Sequence, residues 1–226
     1  MLHSLQRYRE PALTALVIVE GLWLFVLAPL TQLRYVPIAI NVLSTVVIVA
    51  IVLVICSGSR AAEITIITAT VVDILAQALH GVSRSGLTIT FDLGARIAFF
   101  AALTWVVGTA VFGPGRVTIH RIQGAIAIEL TIAMTFATFY RGLDLMTASH
   151  AFRHFASTTP LAGQGFGMYV YFSFTTLTST GYGDVVPIHP FARSAANLEA
   201  LIGQLFPATL LARLVSLEIE ARRSGG

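Results

Sequence analysis

The stretch LTSTGYGDVVP, Leu177 to Pro187, decides how the rest of the chain is read. Gly181 and Gly183 bracket Tyr182, the hydroxyls of Thr178, Ser179 and Thr180 lead in, and Asp184 follows. Taken alone, this is an ordinary turn, because glycine accepts backbone angles that a side chain forbids. The same residues also suit a backbone that presents a row of carbonyl oxygens. The surrounding chain chooses between the two.

That chain has 226 residues, 56% hydrophobic and only 11% charged, with a mean hydropathy of +0.81. Soluble domains carry about 25% charged residues, so the composition is that of a lipid-facing protein. The net charge is +3, and with no lysine present every cationic side chain is arginine. Arginines scattered between long apolar runs are topology signals at membrane edges, not a nucleic-acid patch, and no nucleic-acid partner is expected. Cys56 is the single cysteine and reads as a small buried hydrophobe. The opening residues MLHSLQRYREPA are polar, and the apolar run after them has no small-residue cleavage pattern, so no secretory signal is expected.

A membrane-spanning helix needs about 20 mostly apolar residues. Six stretches meet that need: 12–33, 37–56, 62–80, 89–112, 120–146 and 190–217. SGSR, GVSRSG and GPGR break the chain between them. Residues 147–167 are polar and irregular, and FGMYVYFSFTTLT, Phe166 to Thr178, is too short to span and runs straight into the glycine motif. Irregular backbone at membrane depth survives only where it is buried in protein or lines a water-filled cavity, so this segment is a re-entrant loop. With the N-terminus inside, Arg7, Arg9, Arg60, Arg116, Arg121, Arg213, Arg222 and Arg223 fall on the inner side. Arg34, Arg84, Arg141, Arg153 and Arg193 fall outside, a modest excess that agrees with both termini being cytoplasmic. The loop then enters from the outer face, and no linker or soluble domain is expected.

Two spanning helices flanking a short helix and TSTGYGD resemble the pore module of potassium channels, and four further spans ahead of it are similar in number and order to the six-helix layout of the tetrameric cation-channel superfamily. The resemblance implies an all-α integral membrane fold with six transmembrane helices, a re-entrant pore helix and a selectivity filter in a homotetrameric pore. Residues 1–112 would form a four-helix domain like a voltage sensor without its arginine ladder, and 113–226 the pore domain. Localisation would be a cell membrane, in a compact form suited to a bacterial inner membrane, with lipids as neighbours and no regulatory partner identified.

The physics accounts for the residue types. A dehydrated K⁺ needs oxygens in place of its lost water, and rings of backbone carbonyls from four chains supply them. The resemblance implies ion sites at the carbonyls of Ser179, Thr180, Gly181 and Tyr182, with Gly183 completing the motif, Thr178 and Asp184 flanking it, and the Ser179 hydroxyl as innermost ring. Tyr182 would point away from the axis and pack on the short helix, whose C-terminal end favours a cation. The resemblance implies K⁺ as the permeant ion, no organic cofactor, and a protein that is not an enzyme. A weakly selective cation channel of the same fold is the alternative.

The sequence departs from the family pattern at three positions. Ser179 stands where threonine is usual, Phe172 where many relatives have tryptophan, and Thr175 where an acid or valine is often found. These changes bear on the looseness of the inner site and on inactivation. In the last helix Gly203 lies at the spacing of the family's hinge glycine, with Pro207 one turn later, so both are hinge candidates. The other reading of Gly203 is a small residue where this helix passes behind the short one. Gln204 and Thr209 are polar candidates for the cavity below the filter, and spacing leaves their faces open.

The fourth span holds one arginine, Arg96. One charge crossing 100 mV is worth about 2.3 kcal/mol, so four subunits supply at most about 9 kcal/mol, which leaves steep voltage gating unsupported. Glu20 and Asp73 lie inside spans and should face protein. Asp73 and Arg96 come to similar depth, either as an ion pair or, if the span begins near Leu93, with Arg96 reaching the outer interface. Glu129, inside the fifth span, has no assigned partner. His150 and His154 stand at helical spacing with no third ligand near, so ordinary exposed histidines are expected.

Overall fold

The computed structural model describes residues 9–27, 38–56, 59–83, 85–113, 118–148, 150–155 and 165–224. It is built from helices α1 (Arg9–Leu22), α2 (Ile38–Cys56), α3 (Arg60–Val82), α4 (Gly86–Val111), α5 (Ile119–Met146), α6 (Phe166–Leu177) and α7 (Pro190–Ser224). A π-helical turn, Trp23–Leu27, continues α1. Arg60–His80, Gly86–Val111, Ile119–Met146 and Pro190–Arg213 are long and apolar enough to cross a membrane, and Pro11–Leu27 and Thr45–Cys56 are shorter apolar helices. Residues 28–33, the end of the first expected span, lie outside the described residues.

Local chemistry starts these helices where the sequence breaks. The Ser59 hydroxyl accepts the Ala62 N–H at the head of α3. Ser85 and Thr88 form a reciprocal capping box at the head of α4, which takes up two N–H groups that would otherwise lack acceptors. Ahead of α6, Gly165 has φ +87°, a conformation open chiefly to glycine, and it lets the chain turn sharply into the short helix.

Two apolar clusters hold the helices. In one, Leu13 and Leu16 of α1, Val52 and Ile55 of α2, Ile66 of α3, Phe99, Leu103 and Val111 of α4 and Ile128 of α5 are buried together. The other is aromatic and fixes α6. Tyr140 of α5 meets Phe172 of α6 edge to face at 5.1 Å, and Phe152 meets the same Phe172 at 5.1 Å. Phe172, where tryptophan is usual in the family pattern, is thus a packing residue in this cluster.

Residues 147–167, read from sequence as irregular, contain a short strand. β1 (Phe152–His154) pairs antiparallel with β2 (Val185–Pro187), Arg153 opposite Val186. Among the described residues the regular structure is helical apart from this ribbon, which ties both sides of the glycine motif together. Strands of three residues carry almost no alternation, so the pattern is invisible in the sequence.

Arg96 meets Asp73: Nε lies 3.8 Å from Asp73 Oδ1, and a terminal nitrogen lies 3.4 Å from Oδ1 of Asp92, one turn earlier on α4. The fourth helix begins at Gly86, nearly three turns ahead of Arg96, and the contacts of Arg96 with these acids favour the ion pair over the interface reading. Arg96 is shared between two carboxylates, and Asp92 was missing from the sequence reading. Removing the cation leaves two buried acids facing each other. Arg96→Gln is therefore expected to lower unfolding stability by about 1–3 kcal/mol, and an unchanged midpoint in both Arg96→Gln and Asp73→Asn would dispose of the pair.

Candidate functional site

The glycine motif begins where α6 stops. Thr178 caps the helix, its hydroxyl donating to the Phe174 carbonyl at 2.7 Å and lying 2.8 Å from the Thr180 hydroxyl. The Ser179 N–H then reaches the Thr176 carbonyl at 2.9 Å, and the Gly181 N–H reaches the Thr175 carbonyl at 3.0 Å. The motif's own backbone is thereby hung from the last turn of α6.

Three residues of the motif are left-handed: Ser179 at φ +56°, Gly181 at +52° and Gly183 at +80°. They alternate with Thr180 and Tyr182, which are not. In an extended strand successive carbonyls point to opposite sides. Inverting every second residue turns them toward one side, which is the backbone form of a row of oxygens. At Gly181 and Gly183 an added Cβ would meet no atom within 4 Å, so glycine is needed there for its conformation and not for space. The sequence reading assigned unusual angles to the two glycines and missed Ser179, because a non-glycine residue at positive φ gives no compositional signal.

Tyr182 lies parallel to Tyr171 of α6, ring centroids 6.1 Å apart and planes 2° from parallel. Its side therefore rests on the short helix, as the sequence reading had it. Asp184 is held by the same Tyr171, whose hydroxyl donates to its two carboxylate oxygens at 2.9 and 3.1 Å. The Asp184 carbonyl accepts the Phe155 N–H at 2.8 Å. The partner of Asp184 is thus a phenol one turn before Thr175, a residue that sequence reasoning passed over.

Gly203 of α7 is buried against the end of α6. A Cβ there would stand 1.9 Å from the Leu177 carbonyl oxygen and 2.8 Å from its carbon. The close approach brings α7 directly behind the motif and supplies the packing reading of this glycine. Pro207 sits inside α7 without ending it, and lacks the N–H that would reach the Gly203 carbonyl. Gln204 faces the motif, its side-chain amide donating to the Ser179 hydroxyl at 2.7 Å. Thr209 instead donates back to the Leu205 carbonyl of its own helix at 2.8 Å.

Two buried carboxylates brace this region, and neither was singled out from sequence. Glu199 of α7 is fully buried and accepts from the Tyr140 hydroxyl of α5 at 2.7 Å and from the Ser173 hydroxyl of α6. Asp144 of α5, equally buried, accepts from the Tyr169 hydroxyl of α6 at 2.6 Å and from the Ala151 N–H at 2.9 Å. An acid within an apolar stretch of helix was the available signal for each, since such residues rarely stand without a task. Among the described residues no cluster of three His, Cys, Asp or Glu side chains is arranged to hold a metal ion, around His150 and His154 or elsewhere.

The motif itself is bare on the single chain: residues from Thr178 to Gly183 are exposed, Tyr182 at 71%. So is the adjoining side of α7, with Leu198, Leu201, Leu205, Leu211, Val215 and Ile219 all exposed.

A family model described as "Ion channel" matches residues 126–220. The match begins within α5, takes in β1, α6, the glycine motif and β2, and ends in α7. No curated protein and no solved structure matches the chain. The match supports an ion channel, a non-enzymatic transport protein, and with the long apolar helices around it a membrane protein.

Proposed function

We propose that the chain forms a potassium-selective channel, four copies around one axis, each giving TSTGYGD as a quarter of the filter. The observation that supports this reading is the alternation of left-handed residues at Ser179, Gly181 and Gly183, a backbone form suited to a row of carbonyls from Ser179, Thr180, Gly181 and Tyr182. One chain offers one oxygen per ring, too few to replace a hydration shell, so the ring needs fourfold repetition. The exposed apolar side of α7 and the exposed motif are the surfaces such an assembly would cover. On this reading α6 is the pore helix, the six apolar helices α1 to α5 and α7 cross the bilayer, and both termini lie in the cytoplasm. Permeant K⁺ is then the only ligand required.

A second reading, a weakly selective monovalent cation channel, draws on a different contact. The Ser179 hydroxyl, meant for the innermost ring, already accepts a hydrogen bond from Gln204, which weakens its hold on a dehydrated ion.

Purified protein in planar bilayers with K⁺ on one side and Na⁺ on the other separates the two. The reversal potential is expected near the K⁺ equilibrium potential. A reversal near zero favours the second reading, and one near the Na⁺ potential rejects the first. Gly181→Ala is expected to abolish K⁺ current while leaving assembly intact, because the strain is confined to one exposed residue.

A further inference from the structure

We propose that the helical domain ahead of the glycine motif holds a binding site for a small organic ammonium ion, a primary amine on a short apolar or aromatic tail. A cavity of about 240 Å³ lies among α1, α2, α3, α4 and α5. Its polar lining includes Glu20 and Asp73, 8% and 3% exposed. Each carboxylate has one oxygen engaged and one without a hydrogen-bond donor. Glu20 Oε1 accepts the Thr131 hydroxyl at 3.2 Å and Asp73 Oδ2 accepts the Gln77 amide at 2.6 Å. Glu20 Oε2 is buried with no hydrogen-bond partner, and Asp73 Oδ1 has only its ion pair with Arg96 Nε at 3.8 Å, too long for a hydrogen bond. Glu20 Oε2 above all calls for a donor, since an unsatisfied buried acceptor is costly.

The charges around the cavity say what kind of donor. Arg96 is divided between Asp73 and Asp92, and Arg141 stands over the Phe166 ring at 5.7 Å. Among the described residues no cation pairs with Glu20. A small cation with several N–H groups matches the Glu20 carboxyl, which has neither an ion-pair partner nor a donor for Oε2. A bare metal ion does not, because it needs a shell of oxygens and much of this wall is carbon. Trp23, Phe99, Phe100 and Phe166 supply faces for an apolar tail and for cation–π contact with the ammonium group. Phe166 is the first residue of α6 and packs 6.5 Å from Trp23, so an occupant would brace the helix that carries the glycine motif. The site does not depend on which ion the motif passes.

The test uses the full chain in detergent with Trp105→Phe, which leaves Trp23 as the single tryptophan and a reporter on the cavity wall. Titration with phenethylammonium is expected to change Trp23 emission saturably. Glu20→Gln, which keeps an acceptor for Thr131, is expected to weaken that response at least tenfold, and Asp73→Asn to do likewise. Neutral 2-phenylethanol is expected to give no saturable response. Equal responses to amine and alcohol, an unaltered response in Glu20→Gln, or no response at all would overturn the proposal. A preparation that conducts no K⁺ yet binds the amine through Glu20 would sustain it while removing the channel reading.

Discussion

Gly203→Ala is expected to cost the folded chain more than about 3 kcal/mol, beyond the ordinary range for overpacking a core. The reason is the identity of the atom in the way. The new methyl would stand 1.9 Å from the Leu177 carbonyl oxygen, and a backbone oxygen at the end of a helix has no rotamer through which to withdraw. Either α7 moves off α6, or α6 moves and takes Thr178 and Ser179 with it. Both outcomes disturb the glycine motif from behind. Thermal unfolding of the purified protein measures the first effect, and the K⁺ to Na⁺ reversal potential of any surviving fraction measures the second. Pro207→Ala is the comparison. It restores an N–H toward the Gly203 carbonyl at an exposed position and is expected to leave stability within about 1 kcal/mol of the wild type. A hinge at Gly203 predicts a different pattern: alanine would change the open fraction while leaving the unfolding midpoint in place. Wild-type stability in Gly203→Ala would therefore defeat the packing account and favour the hinge.

The same position shows how much of the molecule the sequence discloses. The apolar runs announce most helix positions because each is long and bounded by glycine, serine or proline. Helices α3 to α6 begin within about three residues of their expected starts, the uncertainty normal for element ends. The glycine motif is legible for a related reason: residues chosen for backbone freedom stand out against an apolar chain. Side-chain partnerships across helices are another matter. Asp73 and Arg96 could be paired by counting depth, since both are charges in apolar spans. Tyr171 could not, because a tyrosine in a helix rich in Phe and Tyr gives no sign that its hydroxyl reaches Asp184. Ser179 was read for its hydroxyl when its backbone angle is the structural fact. The β1–β2 ribbon escaped because its pairing is set by two ends of a loop meeting in space.

Glu199 is the residue whose replacement should separate chemistry from volume. It joins three elements through one carboxyl group: α7 carries it, Tyr140 of α5 donates to one oxygen at 2.7 Å, and Ser173 of α6 touches the other. Ser173 also lies 2.8 Å from the Ala133 carbonyl of α5, yet its hydroxyl has one hydrogen for two acceptors. Glutamine answers that geometry. Its carbonyl accepts from Tyr140, its amide donates to Ser173, and the Ser173 hydrogen is left for Ala133. Glu199→Gln is accordingly expected to remain within about 1 kcal/mol of the wild type. Alanine removes both contacts, strands the Tyr140 hydroxyl in a fully buried site and leaves a cavity. Its expected cost is about 2–5 kcal/mol. Tyr140→Phe removes a single hydrogen bond and should cost about 1 kcal/mol in the wild type. In the Glu199→Ala background it should cost nothing, since the hydroxyl has already lost its acceptor. Chemical unfolding of the four proteins completes this cycle. Glutamine as damaging as alanine would mean that the negative charge, not the hydrogen-bond pattern, holds α5, α6 and α7 together. Additive effects of Tyr140→Phe and Glu199→Ala would mean that the two side chains do not act through each other. The expected result makes Glu199 the bolt behind the glycine motif, fastening α6 to the two helices on either side of it.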